Sequence, residues 1–245
     1  MFKPGYLCQM KIEVWSDIVC PFCYIGKHNV EAALARFSES DAVELEWKSF
    51  QLDPELPKGV TYADTYQYLA QRKGIRIAQA REMTADVALS GKKAGVELNF
   101  ERAIVANTWD AHRLIHLAQS VNRGNIVKEA LFRAHFTDGK DISDYDTLIA
   151  VAKDAGLAEA AARTMLDSDL FAHEVTQDIQ EARNLGIRGV PFFVFNRQYA
   201  VSGAQPPEVF LQTLQKAFAA WRIENPKVPL DVTDGPSCSP NGNCD

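Results

Sequence analysis

The chain lacks the features that would assign it to a membrane or to nucleic acid. No apolar run in its 245 residues approaches the roughly 20 residues that a membrane-spanning helix requires. Positive charge is not in excess, since 26 Lys and Arg stand against 32 Asp and Glu and give a formal net charge of −6. The start of the chain shows no hydrophobic stretch followed by a small-residue cleavage site. The sequence therefore predicts a soluble, cytoplasmic protein whose main partner is neither nucleic acid nor a membrane.

Cysteine is also scarce, but its placement is informative. Four of the five cysteines form two closely spaced pairs, Cys20 with Cys23 and Cys238 with Cys244, whereas Cys8 has no near partner. Thiols stay reduced in the cytosol, so paired cysteines there are more often catalytic, redox-sensing or metal-binding than structural. Cys8 is interpreted as a thiol in a poorly ordered segment or at a strand edge.

The segment Cys20-Pro21-Phe22-Cys23 carries the strongest chemical signal in the sequence. It follows a short apolar strand pattern and opens a helix pattern, so one helical turn brings the two sulfurs within bonding reach. The helix amides and dipole favour a thiolate on the first cysteine. We expect Cys20 to be an exposed attacking thiol and Cys23 a buried resolving thiol. The alternative is that the two cysteines supply two of the four ligands of a zinc site. Pro21 and Phe22 between them are apolar, which favours a dithiol.

Hydrophobic periodicity divides the chain into two strand-containing regions with a helical region between them. Residues 1–60 show a strand, a helix and a second strand with period-two alternation. Residues 61–186 show helical patterns without a convincing strand, and residues 187–223 show a strand, a hairpin turn, a return strand and a helix. Residues 224–245 shift to Pro, Asp, Gly, Asn and Ser, which predicts a mobile tail. The predicted fold class is α/β, in the order βαβ, helical block, ββα.

A proline begins the dense strand pattern of the second strand-containing region. Pro191 lacks an amide donor at that point, and an ordinary strand-start proline would explain it. The alternative is a cis Val190-Pro191 bond, which is uncommon even before proline. A cis bond would turn the backbone toward Cys20 and present the amide and carbonyl of Val190 to an incoming extended chain.

Together these features resemble the thioredoxin superfamily, and the helical insertion narrows the resemblance to its DsbA-like branch. Further motifs resemble the FrnE-type cytoplasmic oxidoreductases of that branch. Those motifs are Trp15-Ser16-Asp17, Asn107-Thr108, Ala111-His112-Arg113-Leu114, Gly186-Ile187-Arg188-Gly189-Val190-Pro191-Phe192-Phe193-Val194-Phe195 and Ser202-Gly203-Ala204-Gln205. The resemblance extends from about residue 11 to about residue 221.

The resemblance implies a thioredoxin fold with a large helical insertion domain. It implies that Cys20 is the nucleophile, that Cys23 resolves the intermediate, and that Pro191 is cis and faces Cys20. Asn107 and His112 match the insertion-domain signature beside the active-site cleft. Outside the chemistry, Asn107 could be the N-cap of the following helix and His112 a satisfied surface histidine.

The second cysteine pair lies in the predicted tail. Pro, Asn and Gly between Cys238 and Cys244 favour a turn that could bring the sulfurs together, and some FrnE-type proteins carry a similar pair. One hypothesis is that this pair exchanges with the first pair as a relay or caps the active site. An incidental or metal-scavenging tail is the alternative.

The function predicted from these features is thiol–disulfide oxidoreductase or isomerase activity on protein disulfides, without a metal or organic cofactor. Pro21, Phe22 and Val190 are the predicted substrate-binding residues, and small thiols such as glutathione are candidate partners. A glutathione-dependent transferase or isomerase of the kappa-like branch shares the fold, but uses serine where Cys20 stands. A redox-controlled chaperone or zinc-holding module is the second alternative, with the two cysteine pairs as four ligands.

Overall fold

A computed structural model describes residues 9–226 and is built around one four-stranded sheet. The strand order is β2-β1-β3-β4, with β1 parallel to β2 and antiparallel to β3, and β3 antiparallel to β4. The strands are β1 (Met10–Ser16), β2 (Val43–Ser49), β3 (Phe192–Phe195) and β4 (Tyr199–Ser202). All but one residue of β1 are buried, because this central strand is covered on both faces. The predicted α/β class and thioredoxin fold are confirmed.

Nine α-helices occur in the part of the chain that the structure describes, and none of these is both long and apolar enough to cross a bilayer. The helices are α1 (Pro21–Leu34), α2 (Thr65–Lys73), α3 (Ile77–Lys93), α4 (Trp109–Gln119), α5 (Gly124–Phe136), α6 (Tyr145–Asp154), α7 (Glu159–Leu166), α8 (Ala172–Asn184) and α9 (Pro207–Glu224). Helix α7 was not predicted, since this short helix buries little more than Ala162, Met165 and Leu166.

Thr61 with Asp64 three residues later is a sequence pattern that predicts a helix capped at Thr61. In the structure Asp64 is the N-cap of α2 instead, and its carboxylate accepts a hydrogen bond from the Gln67 N–H at 2.9 Å. The segment before it is extended, because Tyr62 forms an antiparallel bridge with Val105. The helical region therefore contains a short piece of β structure that its periodicity did not reveal.

The outer edge of β2 is covered by side chains from the helical region. Gln119 of α4 accepts a hydrogen bond from the Trp47 N–H at 2.6 Å and donates to the Trp47 carbonyl at 3.1 Å, as a neighbouring strand would. Asp178 of α8 accepts from the Ser49 N–H at 2.8 Å. Unpaired edge groups of a strand are otherwise open to pairing with another chain. The helices thus attach to the sheet through hydrogen bonds as well as through a shared apolar core. The domain boundaries near residues 60 and 186 stay a prediction.

Helix α1 carries the first cysteine pair and packs closely against the segment that begins β3. A Cβ at Gly26 would lie 3.0 Å from the Pro191 ring and 3.1 Å from the Phe193 ring. Only glycine permits this approach without displacing one of the two rings. Gly26 therefore fixes how near α1 can lie to Pro191.

We expect Gly26→Val to destabilise the fold by roughly 1–3 kcal/mol, because the added atoms overpack this contact. The free energy of unfolding in urea measures the effect. Ala32→Val, at an exposed position of the same helix, reports the cost of a β-branched residue alone and should stay below about 1 kcal/mol. Equal losses in the two variants would contradict a close contact at Gly26.

His135 of α5 is a buried titratable group away from the sheet. Its ring is 2 % exposed, and its Nδ1 atom has no hydrogen-bond partner among the described residues. Burial lowers the pKa of His135 to about 4, against the opposing effects of the Asp17 charge and a hydrogen bond with the backbone of Ile104. His135 is therefore neutral in the folded protein at neutral pH.

Acidification should destabilise the protein through His135. The unfolded chain takes up this proton near pH 6.5 and the folded chain only near pH 4, so stability falls as the pH drops between these values. The slope for one such proton is about 1.4 kcal/mol per pH unit. Unfolding measured from pH 7 to pH 4 should show a shallower loss for His135→Gln than for the wild type. Parallel curves would mean that His135 does not titrate in this way.

Candidate active site

The first cysteine pair lies at the junction of β1 and α1. Cys20 is the N-cap of α1 with extended backbone, and Pro21 occupies the first helical turn, where its missing N–H costs nothing. The Cys20 carbonyl accepts the Cys23 N–H at 3.0 Å, which places Cys23 one turn into the helix. Both thiols are free. The local sequence thus produces the strand–cysteine–helix arrangement that the motif predicts.

The burial of Cys20 differs from the prediction. Cys20 is 4 % exposed and Cys23 is 1 % exposed, so the expected exposed thiol at Cys20 is wrong for this structure. The Cys20 sulfur lies 3.5 Å from the Val190 carbonyl, which comes from a distant part of the chain. Phe22, between the cysteines, is instead the exposed residue, at 46 %.

The bond between Val190 and Pro191 is cis, as the family resemblance implies. Pro191 is buried and its carbonyl accepts the Gly203 N–H at 2.9 Å, whereas Val190 is half-buried. A cleft of about 420 Å³ runs along this loop, lined by residues 186–192 together with Ser202 and Gly203. The structure therefore brings Cys20, Val190 and Pro191 together at one end of the sheet, next to an open cleft.

The two thiols influence each other electrostatically. A side-chain hydrogen bond with Cys23, burial, and the charges of Cys23 and Asp17 raise the pKa of the Cys20 thiol well above its usual value. The backbone N–H of Cys23 acts in the opposite direction. In such a pair, the first thiolate holds the remaining proton more tightly on the other sulfur. The expected stabilisation of a Cys20 thiolate by the helix start is therefore opposed by burial and neighbouring negative charge.

Asp17 lies directly behind the motif and is fully buried. Its carboxylate accepts the backbone N–H groups of Ile18 and Leu52, each at 2.8 Å, and lies 3.2 Å from the Nε2 atom of His112. Burial alone would raise the pKa of Asp17, but the hydrogen bond and charge of His112 and the Leu52 N–H lower it overall. Asp17 is therefore ionised at neutral pH.

His112 is buried, at 1 % exposure, so its interpretation as a surface histidine is wrong. Burial lowers the pKa of His112 more strongly than the hydrogen bond and charge of Asp17 raise it. A neutral ring beside an ionised carboxylate must present its Nε2 proton to that carboxylate. His112 thus contacts Asp17, whose charge in turn acts on Cys20.

Asn107 lies apart from the cysteines. Its amide donates to the Leu56 carbonyl at 2.6 Å and its oxygen accepts the Trp109 N–H at 2.8 Å, while Thr108 is the N-cap of α4. It also lines a second cleft, of about 620 Å³, between the loop after β2 and α8. Asn107 therefore holds the start of α4 without being the N-cap itself.

Sequence reasoning assigned no role to Lys128, which the structure buries completely; burial lowers its pKa, and the charges of Cys23, Asp17 and Cys20 act to raise it. A lysine in a helix is ordinarily expected in solvent. The helical register gave a signal, because Lys128 falls on the same face as Gly124, Val127 and Leu131, all of which are buried. Asp17 belongs to the Trp15-Ser16-Asp17 motif, but its contacts depend on residues distant in the chain.

One cluster of possible metal ligands occurs among the described residues. Ligand atoms of His28, Glu31 and Glu129 lie within 4.8 Å of one another. The Lys27 ammonium lies 2.9 Å from Glu31 and 2.7 Å from Glu129, so a cation of the protein itself is already paired with both carboxylates. The second cysteine pair, Cys238 and Cys244, lies outside the residues that the structure describes.

Comparisons with known proteins agree with this geometry. A family model of the DSBA-like thioredoxin domain matches residues 11–215. The probable DsbA oxidoreductase SCO1869 from Streptomyces coelicolor is 36 % identical, with a TM-score of 0.81 over 97 % of this chain and 99 % of that one. The uncharacterized protein YwbO of Bacillus subtilis (strain 168) is 28 % identical over 81 % of this chain and 92 % of its own length.

A more distant structure shares the fold alone. A putative protein disulfide isomerase from Nitrosomonas europaea is 17 % identical, with a TM-score of 0.65 over 88 % of this chain and 98 % of that one. The family model and the Streptomyces structure together cover both the sheet and the helical region. The chain therefore belongs to the DSBA-like thioredoxin domain family.

Proposed function

We propose that this protein is a thiol–disulfide oxidoreductase or isomerase that acts on protein disulfides through Cys20 and Cys23. The observation that carries the proposal is the meeting of the helix-start cysteine with the Val190 carbonyl, 3.5 Å from its sulfur, beside an open cleft. Membership of the DSBA-like family supports the same reaction class.

Reduction of a substrate would proceed through two exchange steps. The Cys20 thiolate attacks one sulfur of the substrate disulfide, which forms a mixed disulfide and releases the other sulfur as a thiolate that takes up a proton. Cys23 then loses its proton and attacks the Cys20 sulfur, which forms the Cys20–Cys23 disulfide and frees the second substrate thiol. Two electrons pass to the substrate. The reverse sequence oxidises a dithiol, and attack followed by release without resolution isomerises disulfides.

The residues around the cleft support an extended polypeptide as substrate. We propose that a substrate strand lies along the loop at Val190 and Pro191. The Gly203 N–H holds this loop by a hydrogen bond to the Pro191 carbonyl, and the Val190 carbonyl contacts the Cys20 sulfur. The exposed ring of Phe22 and the half-buried Pro21 offer an apolar surface on the other side of the cysteine. Burial of the Cys20 sulfur means that the substrate must displace part of this cover.

The proposed subfamily, cellular location and small-thiol partner rest on the sequence motifs. We propose that the protein is a FrnE-type, cytoplasmic member of the family and that glutathione is one of its small-thiol partners. The relay between Cys238–Cys244 and the first pair is part of this proposal. Exchange rates and mixed-disulfide patterns unchanged in a Cys238→Ser/Cys244→Ser variant would rule out the relay.

We expect Cys20→Ser to reduce disulfide exchange to the uncatalysed rate, because it removes the attacking sulfur. Cys23→Ser should accumulate mixed disulfides, because no thiol remains to resolve them. The rate of disulfide exchange with glutathione measures the first effect, and trapping with an alkylating mass tag, followed by intact mass and peptide mapping, detects the mixed disulfides. Cys8→Ser removes a cysteine outside the motif and serves as the control.

In a glutathione redox titration the wild type should show one two-electron transition at Cys20 and Cys23, within the range of about −120 to −270 mV spanned by related enzymes. Glutathione conjugation that survives Cys20→Ser would favour the transferase alternative. Thiols that stay masked until a chelator is added would favour the zinc-holding alternative. Either result would overturn the proposed function.

A further inference from the structure

Lys128 is a buried lysine that the proposed exchange steps do not use. Its side chain is fully buried within α5, among the largest buried side chains of the protein. Lysine is almost never fully buried unless its charge is paired. Its position therefore requires a compensating interaction.

The ammonium of Lys128 has no conventional partner in the described part of the chain. Its Nζ atom donates no hydrogen bond to the described residues, and it lies 5.0 Å from the ring centre of Phe132 and 5.4 Å from that of Trp47. Aromatic faces attract a cation, but each contributes only about 1–2 kcal/mol. This is small against the cost of removing an ammonium from water.

The charges that act on Lys128 point to the cysteine pair. The largest is that of Cys23, followed by Asp17 and Cys20, all of which favour the protonated lysine, while Lys27 opposes it. His112 of α4 is affected in turn, because the charges of Lys128 and His116 both disfavour protonation of its ring.

Asp17 is already engaged by other donors. Its carboxylate is held by two backbone N–H groups and by His112, and none of its hydrogen bonds comes from Lys128. The cysteine pair, in contrast, has no cationic hydrogen-bond donor among the described residues. A negative charge on the cysteine pair would therefore be stabilised most by this ammonium.

Aromatic packing joins the helix of Lys128 to the helix of the cysteines. Tyr24, the residue after Cys23, stacks on Phe132 with ring centres 4.9 Å apart, and Phe132 is one of the two rings that face the ammonium. Glu129, next to Lys128, accepts a hydrogen bond from the Tyr24 hydroxyl at 2.7 Å. These contacts fix α5 against the first turn of α1. A charge in such a dry region is felt more strongly than one in solvent.

We propose that Lys128 is a positioning residue whose buried ammonium is the counter-ion for the thiolate of the reduced Cys20–Cys23 pair. This inference rests on the proposed function, because it assumes that the pair cycles between dithiol and disulfide. Lys128 touches neither substrate nor the bond that breaks, and acts through the charge of the pair.

Reduction by glutathione shows where the charge arises. Two glutathione molecules supply two electrons and two protons, the Cys20–Cys23 bond breaks, and oxidised glutathione forms. One proton stays on one cysteine, the other is released, and the second cysteine is left as a thiolate. The ammonium stabilises this product and not the uncharged disulfide, so it favours the reduced form and makes the couple more oxidising.

The titration of Lys128 supports this assignment. Burial lowers its pKa to about 8, against the raising effects of Cys23, Asp17 and Cys20. The ammonium is therefore mostly present at pH 7 and is lost as the pH rises above about 8. Its influence on the cysteines should disappear over the same interval.

The test compares Lys128→Met, which is one atom shorter and loses the charge, with Lys128→Arg, which keeps the charge. Lys11→Met removes an exposed lysine, whose side chain is 55 % exposed, and is the matched control. Thiolate absorbance near 240 nm, followed against pH, gives the ionisation midpoint of the reduced pair. The glutathione equilibrium gives the stability of the reduced form.

In Lys128→Met we expect the thiolate midpoint to rise by about one pH unit or more, since a nearby opposite charge shifts a pKa by about that much. The equilibrium constant for reduction at pH 7 should fall about tenfold, which corresponds to about 30 mV. The difference from wild type should shrink above pH 8. Lys11→Met should match the wild type, and Lys128→Arg should stay near it.

A purely structural lysine would give a different result. Lys128→Met would then change the free energy of unfolding while leaving the thiolate midpoint and the glutathione equilibrium constant at wild-type values, and this would overturn the inference. If Lys128→Arg does not fold, Lys128→Gln provides a second neutral variant for the same comparison. Failure of the wild type itself to form the Cys20–Cys23 disulfide would refute the proposed function instead, before any variant is compared.

Discussion

The buried carboxylate of Asp17 determines where the cysteine loop lies. Asp17 follows β1 directly, and its backbone carbonyl accepts the Cys20 N–H at 3.2 Å, so the loop forms a turn just before α1. Its side chain reaches the Leu52 N–H after β2 and His112 on α4. A single ionised group therefore connects the cysteine motif to the other strand and to the helical region. Because a buried charge is tolerated only with such partners, the loop has little freedom to move away from them.

The helical region does more than enlarge the core. Gln119 and Asp178 complete the hydrogen bonds of the outer edge of β2, which would otherwise remain open. Helix α4 also places His112 against Asp17, and the neighbouring helix α5 buries Lys128. The packing that attaches the helices to the sheet therefore also buries these titratable groups. A thioredoxin-type sheet without this region would have the dithiol but not its electrostatic surroundings.

Burial gives the cysteine pair a chemistry that its motif does not specify. The helix start favours a thiolate, whereas burial and the nearby Asp17 charge disfavour one. The balance is decided by the remaining groups in a region of low dielectric, where each charge acts strongly. The direction in which such a pair works follows from the stability of its reduced form. The surroundings of the motif therefore matter as much as the two cysteines themselves.

The sequence by itself determined the α/β order, the helix-start cysteines and the proline before β3. These features depend on local periodicity and on short motifs, which neighbouring residues fix. The tertiary structure decided that Cys20 is buried against the Val190 carbonyl, that His112 is paired with Asp17, and that Lys128 is enclosed. Each of these contacts joins segments far apart in the chain. Their burial and charge arise only when the helices pack on the sheet, and the one local signal, the buried helix face on which Lys128 falls, does not specify what surrounds that lysine.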